Sequence, residues 1–267
     1  MSKPPIKIIG FSASPWILST KYLPPNFDEM ATVTKFLTRT GVWNKKTRTT
    51  KMFWKNILCN ITTADLIKQG YLMQPTYFNN STLEHKDIPV NKSASDFDLE
   101  KYAELISSRE DAIMDTIRRA QEVSHSVLVF CATVEQATRL SSVVLGSEVV
   151  SASTKPKERA LIVAQFKEGK VKTVFNVGVF LIGFDSPRLE TIICLRPTKS
   201  IALWLQLCGR VIRIHPDKKS ARIIDFSGTL KSLGRIEDIY AGKVDGKWNI
   251  IANGKEWNDK ILYTFHL

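Results

Sequence analysis

Two arginines, Arg210 and Arg213, follow a glycine in the stretch 206–213, which reads Gln-Leu-Cys-Gly-Arg-Val-Ile-Arg. A guanidinium offers a planar fork of N–H donors, so two such groups pointing the same way suit the charge of a phosphate chain. On a helix, residues three apart lie on one face, one turn apart. The stretch therefore indicates a helix end that meets phosphate. Paired arginines on a solvated surface are the alternative that this stretch alone leaves open.

The arginines follow a regular alternation of strands and helices that begins near Lys101. Continuous apolar runs predict strands at 127–130, 149–150, 171–175, 191–195 and 222–226. Helical patterns lie between them, at 101–123, 133–144, 155–166 and 200–207. Buried strands that alternate with helices predict an α/β fold, in which helices cover both faces of a parallel sheet. Ligands of such sheets bind beyond the carboxyl ends of the strands.

Polar residues follow three of these strands, at the place where a ligand crevice is expected. Thr133 comes after the first strand and Ser153 after the second, while Asn176 and Gly178 follow the third. Small hydroxyl and amide groups at such an edge suit hydrogen bonds to a bound ligand.

The same loop continues to Gly183 and Asp185, within Gly-Phe-Asp-Ser-Pro. A glycine permits a backbone shape that other residues resist, and an aspartate there could accept a hydrogen bond from a ribose hydroxyl. Read alone, this stretch is equally a simple turn. Near the amino terminus, a short apolar strand ends in Ser12 and Ser14, which suit a crevice or, again, only a turn.

The net charge of +12 is concentrated near the amino terminus. Residues 1–60 contain ten Lys or Arg residues against Asp28 and Glu29, which gives +8. In the stretch 43–55, tryptophan and phenylalanine are interleaved with basic residues that include Lys45, Lys46 and Arg48. Aromatic rings stack on bases and basic groups meet phosphates, so this segment is a candidate for binding nucleic acid. A solvated basic loop is the equal alternative.

Other classes of protein find little support. The four cysteines and four histidines are scattered, so we predict no metal site, no disulfide framework and a reducing, cytoplasmic location. Charged and polar residues interrupt the apolar runs, and the amino terminus lacks the apolar run of a signal peptide. We therefore expect no membrane partner.

In chain order, the marked stretches are Phe-Ser-Ala-Ser-Pro, Val-Leu-Val-Phe-Cys-Ala-Thr, Ser-Ala-Ser-Thr, Gly-Phe-Asp-Ser-Pro and Gln-x-x-Gly-Arg-x-x-Arg. This series resembles motifs III to VI of the superfamily 2 DNA and RNA helicases, over roughly residues 7–16 and 54–228. Three further stretches are similar to the RadD-type branch: Ile-Lys-Gln-Gly-Tyr-Leu, Phe-Cys-Ala-Thr-Val-Glu-Gln-Ala and Leu-Arg-Pro-Thr-Lys-Ser. The resemblance implies a RecA-like sheet.

The resemblance also implies a role for each matching residue. Arg210 and Arg213 would reach the β- and γ-phosphates of ATP held by another RecA-like domain, with Gln206 near the same phosphates or the attacking water. Gly183 and Asp185 would line the ribose side. Ser12 and Ser14 would couple hydrolysis to movement. The phosphates of one nucleic-acid strand would be contacted by Thr133, Ser153, Asn176 and Gly178.

Two parts of an ATP site are missing from the sequence. No Gly-x-x-x-x-Gly-Lys-Ser/Thr stretch cradles a triphosphate, and no Asp-Glu box follows a strand to hold Mg²⁺. We therefore expect residues 1–78 to be a remnant of a first RecA-like domain with a basic insert and a connector. The expected remainder is a linker at 79–100, the second RecA-like domain at 101–228 and a β-rich appendage at 229–267. Two turn signals, at 245–246 and 253–254, predict a meander in the appendage. The cysteine cluster that commonly follows motif VI in the RadD branch is absent.

Two functions remain in view. In the first, the chain is the C-terminal half of a split ATP-dependent helicase or translocase in a bacterial or phage-infected cytoplasm. A partner chain with the P-loop would hold most of the ATP and Mg²⁺, and the substrate would be nucleic acid, with DNA favoured. In the second, the chain is a non-catalytic, nucleic-acid-binding or regulatory module. A dinucleotide-binding domain finds no support, because no Gly-x-Gly-x-x-Gly follows a strand.

Overall fold

A computed structural model of the chain describes residues 61–92, 96–179, 186–244, 247–252 and 255–257, together with four short strands in the first 60 residues. Those four strands form two antiparallel pairs. The first pair joins β1 (Trp16–Leu18) to β2 (Thr34–Phe36), and the second joins β3 (Gly41–Asn44) to β4 (Thr49–Met52).

A six-stranded sheet forms the centre of the molecule. Its strands are β5 (Thr76–Asn79), β6 (Val127–Cys131), β7 (Ser147–Val150), β8 (Thr173–Asn176), β9 (Thr191–Leu195) and β10 (Arg222–Asp225). They lie in the order β5-β10-β9-β6-β8-β7, and each neighbouring pair is parallel. The predicted α/β, RecA-like fold is confirmed. β6, β8 and β9 are buried on both faces. This burial explains the apolar runs Val127–Cys131 in β6 and 192–195 in β9.

Seven α-helices accompany the strands in the described part of the chain: α1 (Thr63–Lys68), α2 (Leu99–Leu105), α3 (Glu110–Val123), α4 (Val134–Ser141), α5 (Pro156–Lys167), α6 (Ile201–Val211) and α7 (Thr229–Leu233). Side chains of α5 and α6 share one apolar cluster with the sheet, and those of α2, α3 and α4 share another. The sheet therefore lies between two helical layers, as predicted.

The helix predicted at 101–123 is wrong in one respect, because the structure divides it. α2 ends at Leu105, and a single 3₁₀ turn, Ser107–Arg109, precedes α3. The Ser107 hydroxyl donates to the carbonyl of Glu104 at 2.7 Å. Serine hydroxyls that bond nearby backbone compete with the helix, which is why two consecutive serines interrupt it.

The connector, which runs from α1 to the start of β5, is held at both ends. α1 begins with a capping box in which Thr62 and Asp65 bond each other's backbone N–H groups. β5 then pairs with β10 along its whole length, so this strand lies in the sheet of the RecA-like domain. The Tyr77 hydroxyl donates to Glu237 at 2.6 Å and accepts from the Ile236 backbone. The polar segment after β5 is partly packed, because His85, Ile88 and Phe97 are buried.

The appendage contains a small antiparallel sheet of β11 (Ile239–Val244), β12 (Lys247–Ala252) and β13 (Lys255–Trp257). The register pairs Val244 with Lys247 and Ala252 with Lys255, which leaves two residues between the paired ends of each hairpin. The predicted meander is therefore confirmed over these strands. Ala241 and Ile250 pack into the same cluster as α6.

Candidate functional site

Helix α6 carries the first two residues of the predicted arginine site. Its first turn is capped by Ser200, whose hydroxyl accepts from the backbone N–H of Leu203 at 3.2 Å. Trp204 is fully buried and donates to the Gly234 carbonyl at 2.8 Å, which anchors the helix to the chain beyond the sheet. Gln206 is exposed, whereas Arg210, one turn further on, is only 8% exposed.

Arg213 does not share that helix face. α6 continues past the predicted end at Leu207 but stops at Val211, with Ile212 as its C-terminal cap. Arg213 follows the helix, is half-buried and forms an isolated antiparallel bridge with Leu72 of the connector. The expectation of two arginines one helical turn apart is therefore wrong, because the helix ends between them. The connector holds Arg213 in an extended conformation instead.

A buried lysine closes this helix end. The ammonium of Lys218 donates to the carbonyls of Val211 and Arg213, the latter at 2.9 Å. The carbonyl between them, that of Ile212, accepts from the backbone N–H of Met73 at 2.7 Å. Three carbonyls that the helix leaves open are thus satisfied from outside it, and a cation at a helix C-terminus also favours the helix dipole. Lys218 is only 6% exposed, and burial lowers its pKa to about 8 against the attraction of Glu190.

Glu190 joins the arginine segment to the loop before β9. This carboxylate is 2% exposed and accepts from the backbone N–H groups of His125 at 2.8 Å and Lys219 at 3.1 Å. Close by, Arg188 donates to Asp217 at 2.9 Å. The chain just after the predicted ribose loop therefore lies beside the chain just after Arg213. Gly183 and Asp185 themselves lie outside the described residues.

The second group of predicted residues lies at the carboxyl edge of β6, β8 and β7, which are neighbours in the sheet. Thr133 is buried and caps α4, because its hydroxyl accepts from the backbone N–H of Gln136 at 3.1 Å. The Gln136 side chain in turn accepts from the backbone N–H of Ala132 at 3.0 Å. Thr133 therefore lies at the amino end of α4, where positive partial charge favours an anion.

Ser153 is exposed at the end of β7, and its hydroxyl lies 2.8 Å from that of Ser151. Arg159 of α5 holds this loop by donating to the carbonyls of Ser151 at 3.3 Å and Thr154 at 3.1 Å. Sequence reasoning missed Arg159, since an arginine on an ordinary helical stretch carries no local signal of a loop contact eight residues away.

Asn176 ends β8 and is buried, while Gly178 is exposed with a φ of +73°. Apart from its two chain neighbours, no atom of the described residues lies within 4 Å of the position that a Cβ would take at Gly178, so its backbone conformation alone favours glycine there. An open, glycine-containing turn lets a ligand approach the backbone N–H groups closely. The edge therefore brings together Thr133, Ser153, Asn176 and Gly178, one or two from each of three adjacent strands.

The remaining predicted residues lie outside the described residues: Ser12, Ser14, Lys45, Lys46 and Arg48. Lys218 and Glu190 are the residues nearest to the arginines that sequence reasoning missed. Both stand in stretches rich in lysine or polar residues, where only the fold shows which side chain is buried. Within the described residues, no helix is long and apolar enough to span a membrane.

Comparison with known proteins agrees with this fold. Residues 108–215 match the family described as the helicase conserved C-terminal domain. A Saccharomyces cerevisiae protein named as an ATP-dependent helicase, IRC3, is 32% identical over 159 residues, which are 57% of this chain and 23% of that protein. A Schizosaccharomyces pombe protein named as a mitochondrial ATP-dependent helicase, irc3, is 29% identical over 63% of this chain and 28% of its own length.

Among solved structures, a fragment of an HsdR subunit of a type I restriction enzyme from Vibrio vulnificus shares the fold. Its TM-score is 0.54 at 16% identity, over 66% of this chain and 36% of that one. Residues 108–215 are therefore similar to the conserved C-terminal domain of helicases. The chain spans about a quarter of the length of the two helicase relatives it matches.

Proposed function

We propose that this chain supplies one half of the ATP-hydrolysing site of a superfamily 2 helicase or translocase, and that a P-loop domain supplies the other half. The observation that carries the proposal is the end of α6. Arg210 and Arg213 flank a helix terminus whose carbonyls are held by a buried lysine and by the connector. Such a terminus keeps the backbone of both arginines in place without help from a ligand.

The chemistry of these residues fits ATP. Guanidinium groups neutralise charge that develops on the transferred phosphoryl group, and an arginine in this role accelerates phosphoryl transfer by about 10³–10⁵-fold. Gln206, exposed on the same helix, would orient the phosphates or the attacking water. Within the described part of the chain, no cluster of acidic, histidine or cysteine side chains is suited to hold a metal. Mg²⁺ would therefore be held by the P-loop domain and the nucleotide phosphates.

The carboxyl edge of β6, β8 and β7 is the proposed site for one strand of nucleic acid. Hydroxyl groups, helix amino ends and an open glycine turn contact phosphates without reading bases, so binding there is independent of sequence. The basic segment around Lys45, Lys46 and Arg48 would add electrostatic attraction. DNA is the favoured substrate. Three described cysteines, Cys131, Cys194 and Cys208, are buried and free, which supports a reducing cytoplasm as the location.

ATP hydrolysis, measured for this chain alone, for a helicase P-loop domain alone and for a mixture of the two, tests the proposal. We expect little ATP hydrolysis by either part, and hydrolysis that single-stranded DNA stimulates when the two are mixed. A mixture that binds DNA but never hydrolyses ATP would instead favour the second candidate, a non-catalytic nucleic-acid-binding module. That candidate draws its support from the net charge of +12 and from the lack of a P-loop in these 267 residues.

A further inference from the structure

Arg196 follows β9 directly and so lies at the carboxyl edge of the sheet. β9 is the neighbour of β6, whose carboxyl end leads to Thr133. Adjacent strands are about 4.8 Å apart, so Arg196 stands one strand spacing beyond the contacts proposed above. It was not assigned a role from the sequence, where it is only one residue of Leu-Arg-Pro-Thr-Lys-Ser.

On the other side of β9, the edge is closed. Asp225 ends β10 and is fully buried, and it accepts from the backbone N–H groups of Ser227 at 2.8 Å and Leu230 at 2.7 Å. Burial raises the pKa of this carboxyl group. Thr229 and His85, also buried, lie beside the same network. Arg196 therefore lies next to a part of the edge that the protein itself fills.

Within the part of the chain that the structure describes, the guanidinium of Arg196 has no hydrogen-bonding partner. Its Nε atom is buried without a hydrogen bond, and among the described residues the side chain makes no hydrogen bond or ion pair. Asp96 attracts it, but both oxygens of that carboxylate already accept from the neighbouring loop, one from the backbone N–H of Lys199 at 2.9 Å and one from the Thr198 hydroxyl at 3.1 Å.

Other arginines that the protein partly buries are engaged. Arg109 donates to the Asn80 carbonyl at 3.2 Å and to the Thr82 hydroxyl at 2.8 Å, and Arg222 donates to the Val123 carbonyl at 3.3 Å. The neighbouring cation, Lys199, lies over the ring of Phe97 at 5.2 Å. Arg196 thus differs from these residues because its guanidinium N–H donors are not engaged by described residues.

A partly buried guanidinium without hydrogen bonds is costly, because the group has lost water and gained nothing in return. In agreement, burial lowers the pKa of Arg196 despite the nearby Asp96. A ligand that accepts hydrogen bonds from this guanidinium would remove the cost of its burial. A phosphate is the best match, since its oxygens accept the planar fork in a bidentate pair.

We propose that Arg196 binds a backbone phosphate of the same nucleic-acid strand that lies on the carboxyl edge of β6, β8 and β7. This inference rests on the proposed function of that edge and extends it by one strand of the sheet. The strand would then cross four adjacent β-strands, with Arg196 as a cationic contact at the edge and Thr133, Ser153 and Gly178 as neutral ones. The continuity of the edge favours this ligand over a carboxylate of a protein partner.

The test measures how tightly the full chain binds a fluorescein-labelled oligothymidylate across a range of salt concentrations. The oligonucleotide has about 20 nucleotides, which is longer than common single-strand site sizes. Arg196→Gln removes the fork and the charge. Lys170→Gln is the matched control, because it removes one charge from an exposed residue at the opposite edge, before β8. The basic amino-terminal segment contributes equally to both variants. Thermal unfolding of each variant is measured in parallel.

We expect Arg196→Gln to weaken binding about tenfold at low salt, as for the loss of one charge-assisted contact. The slope of log K against log salt should become shallower by about 0.7, the value for one phosphate on a single strand. Lys170→Gln should leave both unchanged. Because the free protein gains nothing from Arg196, its melting temperature should stay level or rise in Arg196→Gln.

Three results would overturn the inference. The first is wild-type affinity and salt slope in Arg196→Gln while Ser153→Ala weakens binding. The second is a lowered melting temperature with an unchanged salt slope, which would make Arg196 a structural residue. The third is unchanged DNA binding with lost binding of the P-loop domain, which would assign Arg196 to a protein contact. Failure of the wild-type chain to bind single strands at all would instead refute the proposed function.

Discussion

The ammonium of Lys218 lies 2.9 Å from the backbone carbonyl oxygen of Arg213 and donates a hydrogen bond to it. The bond spans five residues and closes the turn through which the chain leaves α6. The same ammonium reaches the Val211 carbonyl, inside the helix. One buried side chain therefore joins the last turn of the helix to the arginine that follows it. We infer that Lys218 positions Arg213 rather than touching the nucleotide itself.

Removal of this lysine should loosen the helix end. Lys218→Met leaves the Val211 and Arg213 carbonyls without their donor, and a buried acceptor left unsatisfied costs about 1–3 kcal/mol. We expect the free energy of unfolding, measured by urea denaturation, to fall by that amount. Lys219→Met is the control, because the neighbouring side chain is exposed, and it should change little. Equal stability of the two variants would contradict the cap.

The same lysine should leave a signature in the dependence of stability on pH. Burial lowers its pKa from 10.5 to about 8 in the folded chain. Between these values the unfolded chain still binds the proton that the folded chain has released, so the free energy of unfolding rises with pH. We expect the wild-type protein to gain stability relative to Lys218→Met from about pH 8 upward. A difference that stays constant with pH would show that the pKa is not lowered.

Replacement of two glycines by alanine should change the stability of the chain in opposite directions. Gly209 lies in the last turn of α6, and no neighbouring atom stands within 4 Å of a Cβ built there. Gly209→Ala should therefore stabilise the chain by about 0.5–1 kcal/mol. Gly228 has a φ of +75°, and its Cβ would meet the Leu83 carbonyl at 2.8 Å. Gly228→Ala should destabilise the chain by at least about 1–2 kcal/mol. Thermal unfolding of the two variants checks both signs.

Much of the fold could be predicted because local signals and tertiary packing agree. The strand at Thr191–Leu195 is apolar after its first residue and buried on both faces, and its bounds match the prediction. The break between α2 and α3 was not predicted, because it depends on a hydrogen bond from the Ser107 hydroxyl to the Glu104 carbonyl. The position of β5 at the edge of the sheet depended on pairing with β10, about 145 residues later in the chain, and no local pattern reports such pairing.

The candidate site was predictable where a residue type carries the chemistry by itself. Arginines after a glycine and hydroxyls after buried strands stand out in a sequence. Lys218, Glu190 and Arg159 do not, because their importance comes from burial and from carbonyls or N–H groups that belong to distant residues. The path of Arg213 was missed for the same reason, since the connector that holds it lies about 140 residues earlier in the chain.

We propose that Arg210 and Arg213 serve hydrolysis and that the carboxyl edge of β6, β8 and β7 serves nucleic acid. The most direct test measures kcat and DNA affinity separately for Arg210→Ala, in the mixture with the P-loop domain and single-stranded DNA. The control is Arg118→Ala, an exposed arginine on α3 that pairs with Asp115. We predict that Arg210→Ala lowers kcat by about 10³-fold or more while DNA affinity stays within about twofold of wild type. A wild-type kcat in Arg210→Ala would show that Arg210 has no role in ATP hydrolysis.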